Sequence, residues 1–164
     1  MFSLQYCISP RDWDDFYGQN GFFEIHCNDK RYGDLYSEEI RQHLIPEYLY
    51  DWFDRLVSVA IHFFLHDMVY LSDVECATLW LEFKRNGDKL YVSLIDSEKA
   101  MTGVIEFALT GQRKVNNWEG EEISFAQFLQ EITTKVSAFV DEILTKEPMQ
   151  KEALELRAKL RFLQ

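Results

Sequence analysis

The sequence predicts an α+β protein, in which an antiparallel β-sheet is covered on one face by helices and two helices follow at the C-terminus. Three patterns predict this class. Short alternating segments separated by turn residues indicate hairpins, an apolar stripe at helical spacing over 46–66 indicates a central helix, and residues 124–164 have helical spacing again. Hairpin-joined strands make an antiparallel sheet, and helices that are separate from the strands along the chain cover one of its faces.

The first predicted strands lie in the N-terminal part of the chain. Residues 2–8 alternate loosely between apolar and polar side chains, which predicts a strand. Gly21 opens a second strand through Cys27. The pair Asn28-Asp29 then predicts a turn that leads into a returning strand over 30–35.

The first predicted helices follow this hairpin. Ser37 is followed by two glutamates, which is typical of a helix N-terminus. Pro46 either interrupts that helix or begins a second one at its first helical position. Over 46–66 the stripe consists of the apolar residues Leu49, Trp52, Phe53, Leu56, Val57, Ala60, Phe63 and Phe64.

A second hairpin is predicted in the middle of the chain. Residues 77–83 alternate, the turn Asn86-Gly87-Asp88 allows positive φ at its glycine, and 90–95 return as the partner strand. Residues 69–71 are expected to form a short strand or an extended lead-in to the hairpin, and another strand is expected over 104–109. Residues 111–120 are polar and are predicted to form a loop.

The C-terminal part predicts two helices. Ser124 followed by Gln127 matches a capping box, and a strongly amphipathic stretch comes after it. Pro148 is expected in the first turn of the final helix. We therefore predict a single α+β domain over 1–147 and a helix over 148–164 that packs on it or mediates self-association.

Composition excludes several classes of protein. The 164 residues contain 17 Lys and Arg against 28 Asp and Glu, a formal net charge of -11. Such a balance argues against a nucleic-acid binder, which needs clustered basic residues, and against docking on an anionic membrane. The three cysteines are widely spaced and are predicted to be buried free thiols. Without a signal-peptide pattern, a cytoplasmic location is expected.

The negative charge is concentrated near the N-terminus, because residues 1–75 contain 14 acids and only 5 bases. One interpretation is a solvated face that maintains solubility. The other is a docking face for a basic partner, with aromatic side chains as anchors. The candidate partner-binding residues are Asp12, Trp13, Asp14, Asp15, Asp29, Asp34, Glu38, Glu39, Glu47, Asp51 and Asp54.

Patterns of catalysis or metal binding are weak. His62 and His66 lie four residues apart, but no glutamate completes a metal motif between them, so a structural role is favoured. The carboxylates of residues 12–15 lack the spacing of a calcium loop. No phosphate-binding loop or nucleophile motif is present. We therefore expect no catalytic residues, metal or cofactor.

The layout of the chain resembles that of the immunity proteins that accompany bacterial polymorphic toxins. The stretches that carry this resemblance are 21–25, 69–71 and 79–88, together with the style of the last two helices. The resemblance implies a small acidic cytosolic protein that covers the active site of a cognate basic toxin domain, such as a nuclease.

Three hypotheses about function follow. The first is a non-enzymatic, immunity-type inhibitor that binds a basic toxin domain through the acidic residues between Asp12 and Asp54. The alternative is a structural or regulatory domain that forms a homodimer or larger homo-oligomer through its last helix. The third is an enzyme of an unrecognised class, for which a deep pocket around His62, His66 or Glu82 would be needed.

Overall fold

Two antiparallel sheets and four α-helices make up the described part of the chain. The computed structural model describes residues 1–10, 15–73, 75–99 and 103–164. The predicted α+β class is confirmed, with the strands divided between two sheets.

The smaller sheet contains the first three strands in sequential order. These are β1 (Phe2–Ile8), β2 (Gly21–Cys27) and β3 (Lys30–Gly33), and both pairings are antiparallel. The predicted hairpin between β2 and β3 is confirmed. Its turn places Asn28 at φ 57, a left-handed conformation that asparagine tolerates better than most residues.

The larger sheet has five strands in the order β7-β4-β5-β6-β8. The strands are β4 (Met68–Ser72), β5 (Leu79–Asn86), β6 (Lys89–Asp96), β7 (Ile105–Glu106) and β8 (Lys114–Ser124). The hairpin of β5 and β6 forms as predicted, with Gly87 at φ 63 in its turn.

Four helices accompany the sheets. They are α1 (Glu38–Arg41), α2 (Leu49–His62), α3 (Phe125–Lys146) and α4 (Lys151–Leu160). Both predicted serine caps are confirmed, because Ser37 accepts a hydrogen bond from the Ile40 N–H and Ser124 accepts one from the Gln127 N–H. A short 3-10 helix over 161–163 ends the chain.

One main core joins the helices to both sheets. Leu4 and Phe23 reach it from the smaller sheet, Phe83 and Val92 from the larger one, and Phe139 from α3. The apolar side chains of α4, which are Ala153, Leu156 and Leu160, are buried in the same core. Most of the apolar side of α4 is therefore already covered by its own chain.

The opposite face of the larger sheet, which we call the open face, has a small apolar cluster of Tyr70, Trp80 and Ile95. Beside this cluster the face is polar. Glu82 is 6% exposed there, in the middle of β5. No helix covers the open face within the described residues, since all the buried helical side chains belong to the main core.

The loop predicted over 111–120 is wrong, because most of these residues belong to β8. The strand was not recognised because it is an edge strand, so most of its side chains are exposed and polar. Irregular register near Leu94 of β6 also breaks the two-residue alternation.

The expected helix starts at both prolines are also wrong. Helix α2 begins at Leu49, so Pro46 lies in the preceding segment, and α4 begins at Lys151, so Pro148 precedes it. Phe64 was expected on the buried stripe of α2, but it is 67% exposed because the helix ends at His62. Of the three free cysteines, only Cys27 is buried.

Candidate partner-binding site

A groove of about 1000 Å³ lies between the loop before β2, the start of α2 and the turn from α3 to α4. We call it the acidic groove. Its aromatic walls are Phe16, Tyr48 and Tyr50, and the rings of Phe16 and Tyr50 meet edge to face at 5.5 Å. Its carboxylates are those of Asp15, Asp51, Glu147 and Glu152.

The carboxylates of the acidic groove are held mainly by neutral donors. Asp15 accepts a hydrogen bond from the Asn20 side-chain amide at 2.5 Å. Asp51 is 3.8 Å from the guanidinium of Arg55, a long contact that neutralises it weakly. Among the described residues that line the groove, Lys151 is the only cation against four carboxylates, and it also pairs with Glu155. These described lining residues therefore carry a net negative charge.

A second feature, the exposed segment of residues 34–48, adjoins the groove through Tyr48. Its apolar side chains face solvent to an unusual degree. The exposed fractions are 43% for Tyr36, 48% for Ile40, 40% for Leu44, 93% for Ile45 and 56% for Tyr48. Exposed apolar groups in one stretch of chain, bordered by charge, are typical of interaction surfaces.

Three acids of the exposed segment have no ion-pair partner in the part of the chain that the structure describes. Glu38 and Glu39 occupy the first turn of α1, and Asp34 accepts a hydrogen bond from the Tyr36 N–H. None of these three carboxylates forms an ion pair with a described residue. Each therefore exerts its charge on the solvent and on any partner that approaches.

The exposed segment is held firmly although its side chains are exposed. Arg41 donates to the carbonyl oxygens of Leu35 and Tyr36, each at 3.0 Å. Glu47 exchanges two backbone hydrogen bonds with Gly21, at 2.8 and 2.9 Å. Tyr36 has φ 44, a conformation that non-glycine residues rarely adopt and that is concentrated at functional sites.

Glu47 is placed differently from the other acids. Its side chain turns inward, where Trp52 donates a hydrogen bond to it and the carboxylates of Glu75 and Asp73 are close. Burial and then the repulsion of Glu75 raise its pKa to about 7. Glu47 thus contributes a titratable group beneath the exposed segment.

The remaining predicted site residues do not share one surface. Asp29 lies in the turn between β2 and β3 and contacts Lys30. Asp54 binds the Lys159 ammonium at 2.7 Å, in a contact that joins α2 to α4. Asp12, Trp13 and Asp14 lie outside the described residues. The structure therefore brings together Asp15 and Asp51 in the groove, and Asp34, Glu38 and Glu39 on the segment.

The histidine pair takes part in aromatic packing. The ring of His66 stacks on Phe107 at 3.8 Å, and that of His62 meets Phe107 edge to face at 4.9 Å. Burial lowers the pKa of His62, and the neighbouring His66 lowers it further. Within the described ranges, no three His, Cys, Asp or Glu side chains are grouped to hold a metal ion.

Glu82 lines a pocket of about 570 Å³ on the open face of the larger sheet. Both of its carboxylate oxygens are 2.7 Å from nitrogens of Arg113, in a bidentate pair. Arg113 also binds Glu119 at 2.8 Å. The carboxylate is therefore engaged by a cation that ties residue 113 to the sheet.

Sequence reasoning missed the apolar half of the candidate site. Ile40, Leu44 and Ile45 were not among the predicted site residues, although α1 buries no side chain and ends at Arg41, which leaves all three exposed. Pro46, which restricts the residue before it to extended conformations, is the signal that could have placed Ile45 outside a helix.

Comparisons with family models, curated proteins and solved structures found no match to this chain. The fold and the described residues define an acidic α+β protein with an acid-rich and aromatic groove. Within the described residues, no helix has both the length and the apolar character needed to cross a membrane.

Proposed function

We propose that this chain is a non-enzymatic binding protein of the immunity type, which neutralises a cognate basic toxin domain by covering its active site. The observation that carries the proposal is the exposed segment of residues 34–48. It presents apolar side chains beside carboxylates that have no cationic partner among the described residues.

Charge supports a basic partner. The carboxylates of Asp15, Glu38 and Glu39 belong to a region that is strongly negative and poor in lysine and arginine. Such a field accelerates encounter with a positively charged surface and disfavours acidic partners. A nuclease domain carries a basic cleft for phosphate, so an acidic surface seated there would exclude its substrate.

Shape and chemistry support a protein partner in particular. Binding energy at protein interfaces comes mainly from a few large side chains in well-packed surroundings, with tyrosine among the most frequent. Tyr48 and Ile45 are exposed at the centre of this surface, between the acidic groove and α1. Because the segment is fixed by backbone hydrogen bonds, little conformational entropy is lost when a partner binds.

The test is co-purification with, and neutralisation of, the toxin domain encoded by the adjacent gene. Two paired charge reversals address the surface: Asp15→Lys with Asp51→Lys, and Glu38→Lys with Glu39→Lys. A matched control pair, Asp67→Lys with Asp88→Lys, changes the net charge equally at exposed acids outside the groove and segment.

We expect each surface pair to reduce the association rate about tenfold or more, because steering charges are reversed. The control pair should retain nearly the wild-type rate. Equal losses for all three pairs would show that only total charge matters. Undiminished neutralisation by both surface pairs, with folding verified by circular dichroism, would refute the proposed binding surface.

A further inference from the structure

A half-enclosed cavity of about 520 Å³ lies beneath the exposed segment, against the outer side of the smaller sheet. We call it the anchor pocket. Its apolar lining includes Cys7, Pro10, Phe22, Leu44 and Pro46. Its volume lies within the range of pockets that hold ligands, roughly 300 to 1000 Å³.

The pairing of β1 with β2 creates the floor of the anchor pocket. Cys7 is directly opposite Phe22, so both side chains project from the same face of the sheet. This face is opposite to the one that carries Phe23 into the main core, since neighbouring residues in a strand alternate. The ring of Phe22 also meets Tyr36 of the exposed segment edge to face at 6.0 Å.

The segment is held over this floor without filling the space. Glu47 pairs with Gly21 through its backbone, and a Cβ at Gly21 would lie 2.4 Å from the carbonyl oxygen of Cys7. Glycine at this position therefore permits the close approach that anchors one end of the segment. The other end of the segment continues directly from β3, and Arg41 closes this part of the segment on itself by donating to the carbonyl oxygens of Leu35 and Tyr36. The cavity lies between the segment and the sheet.

We propose that the anchor pocket receives one large apolar side chain that projects from the basic surface of the protein partner. This inference rests on the proposed function and adds an anchor to it. A bulky apolar side chain desolvated at the centre of an interface is the usual source of strong binding energy. The acids around the pocket would favour a partner in which this apolar side chain is surrounded by basic residues.

Charge complementarity identifies the occupant. Glu38 and Arg41 both line the pocket, and the guanidinium of Arg41 already donates to carbonyl oxygens of the segment. Residues 34–48 contain four acids against this one arginine, so the surroundings of the pocket are negative. A second copy of this chain would bring its own acidic segment against these carboxylates, so self-association is disfavoured. An apolar side chain flanked by lysine or arginine satisfies both the pocket and its rim.

The test uses short peptides as probes of the full chain, so it does not depend on the toxin. The probes are acetyl-Lys-Arg-Phe-Arg-Lys-amide, the same peptide with serine in place of phenylalanine, and acetyl-Glu-Glu-Phe-Glu-Glu-amide. Binding is followed by shifts of the backbone amide signals of ¹⁵N-labelled protein. We expect the basic phenylalanine peptide to give saturable shifts at Ile8, Phe22 and Leu44.

The comparisons among peptides decide the inference. Relative to the basic phenylalanine peptide, the serine and acidic peptides should each bind about tenfold more weakly. Equal affinity of the serine peptide would mean that charge alone acts, and shifts confined to other surfaces would mean that the pocket is not used. Either result overturns the inference, as does a concentration-dependent dimer in light scattering that competes with the peptide.

Variants separate the pocket from the exposed apolar surface in general. Leu44→Ser alters the pocket wall and should lower the affinity for the basic phenylalanine peptide about tenfold. Leu65 is 83% exposed and lies beyond the end of α2. Leu65→Ser should therefore leave the affinity for this peptide unchanged. If the toxin fails to bind while the peptide binds as expected, the proposed function is wrong and the pocket stands. If the toxin binds while the peptide does not, the inference about the anchor pocket is wrong and the proposed function stands.

Discussion

Carboxylates in two regions of this molecule have opposite surroundings. On the open face of the larger sheet, Glu82 and Glu119 share Arg113, and Glu122 contacts Lys89 at 2.8 Å. On the exposed segment, Asp34, Glu38 and Glu39 have no cationic partner among the described residues. The comparison shows that a net charge does not by itself locate a binding surface. The location depends on which acids are left unneutralised by the fold.

The largest change in the free energy of unfolding is expected on the open face, where the carboxylates are paired with cations. Replacing Arg113 by alanine leaves the nearly buried Glu82 without its cation, and we expect the free energy of unfolding to fall by about 2–3 kcal/mol. Urea unfolding measures this change. Lys89→Ala, which breaks an exposed pair on the same sheet, is the matched control and should change the free energy of unfolding much less than Arg113→Ala does. Similar losses in both variants would contradict the distinction.

A smaller effect on the free energy of unfolding is expected at Glu47, which is neither paired with a cation like Glu82 nor exposed like Glu38. Its pKa in the folded state, about 7, lies above the ordinary value of 4.5, so the folded protein binds this proton more tightly than the unfolded chain. The stability that this group contributes is present at low pH and is lost as the pH rises through 7. Glutamine mimics the protonated form and retains an acceptor for Trp52.

We therefore expect Glu47→Gln to match the wild type at about pH 4, below the ordinary carboxyl pKa, and to be more stable by about 1 kcal/mol at about pH 8, allowing for screening by solvent. Urea titrations at the two pH values provide the measurement. A variant that is less stable than the wild type at the higher pH would show that the ionised carboxylate is favourable in the fold.

The next prediction distinguishes Asp54, which contacts another helix, from the acids of the proposed binding surface. Asp54 was predicted to bind the partner, but its pair with Lys159 joins α2 to α4. Asp54→Asn should lower the free energy of unfolding by about 1 kcal/mol, because the pair is only partly exposed. It should leave the association rate with the partner nearly unchanged. A rate loss as large as that of the Glu38 and Glu39 reversal would return Asp54 to the binding surface.

The smallest effect on stability is expected on the exposed segment. Glu38→Gln with Glu39→Gln removes two solvent-exposed charges from the first turn of the short helix α1, and the unfolding free energy should change by no more than about 0.5 kcal/mol. Thermal unfolding is the check. A loss of several times that amount would mean that these acids stabilise the fold.

Local patterns predicted much of the fold. The turn at Gly87 and the caps at Ser37 and Ser124 act over a few residues, so they were recognisable in the sequence. Strand β8 was missed because an exposed edge strand lacks apolar alternation. Pro46, as one of two alternatives, and Pro148 were expected in the first turns of helices that begin three residues later, since a proline is accepted both in a first turn and in a preceding loop.

The candidate site was predicted in its charge and not in its geometry. The excess of acids before residue 75 is a property of composition, whereas the engagement of Asp54 by Lys159 joins residues 105 positions apart. Likewise, the exposure of Ile45 and the cavity beside Leu44 arise from how the segment crosses the smaller sheet. Such tertiary contacts leave no periodic signal in the sequence.

The most direct test of the central claim is hydrogen–deuterium exchange of the chain alone and in complex with the toxin domain of the adjacent gene. We expect slowed exchange in 15–22 and 34–51, which contain the exposed segment and parts of the acidic groove and the anchor pocket. Exchange in strands β4, β5 and β6 should be unchanged. Protection of 82–93 and 113–120 on the open face, with 34–51 unaffected, would contradict the account.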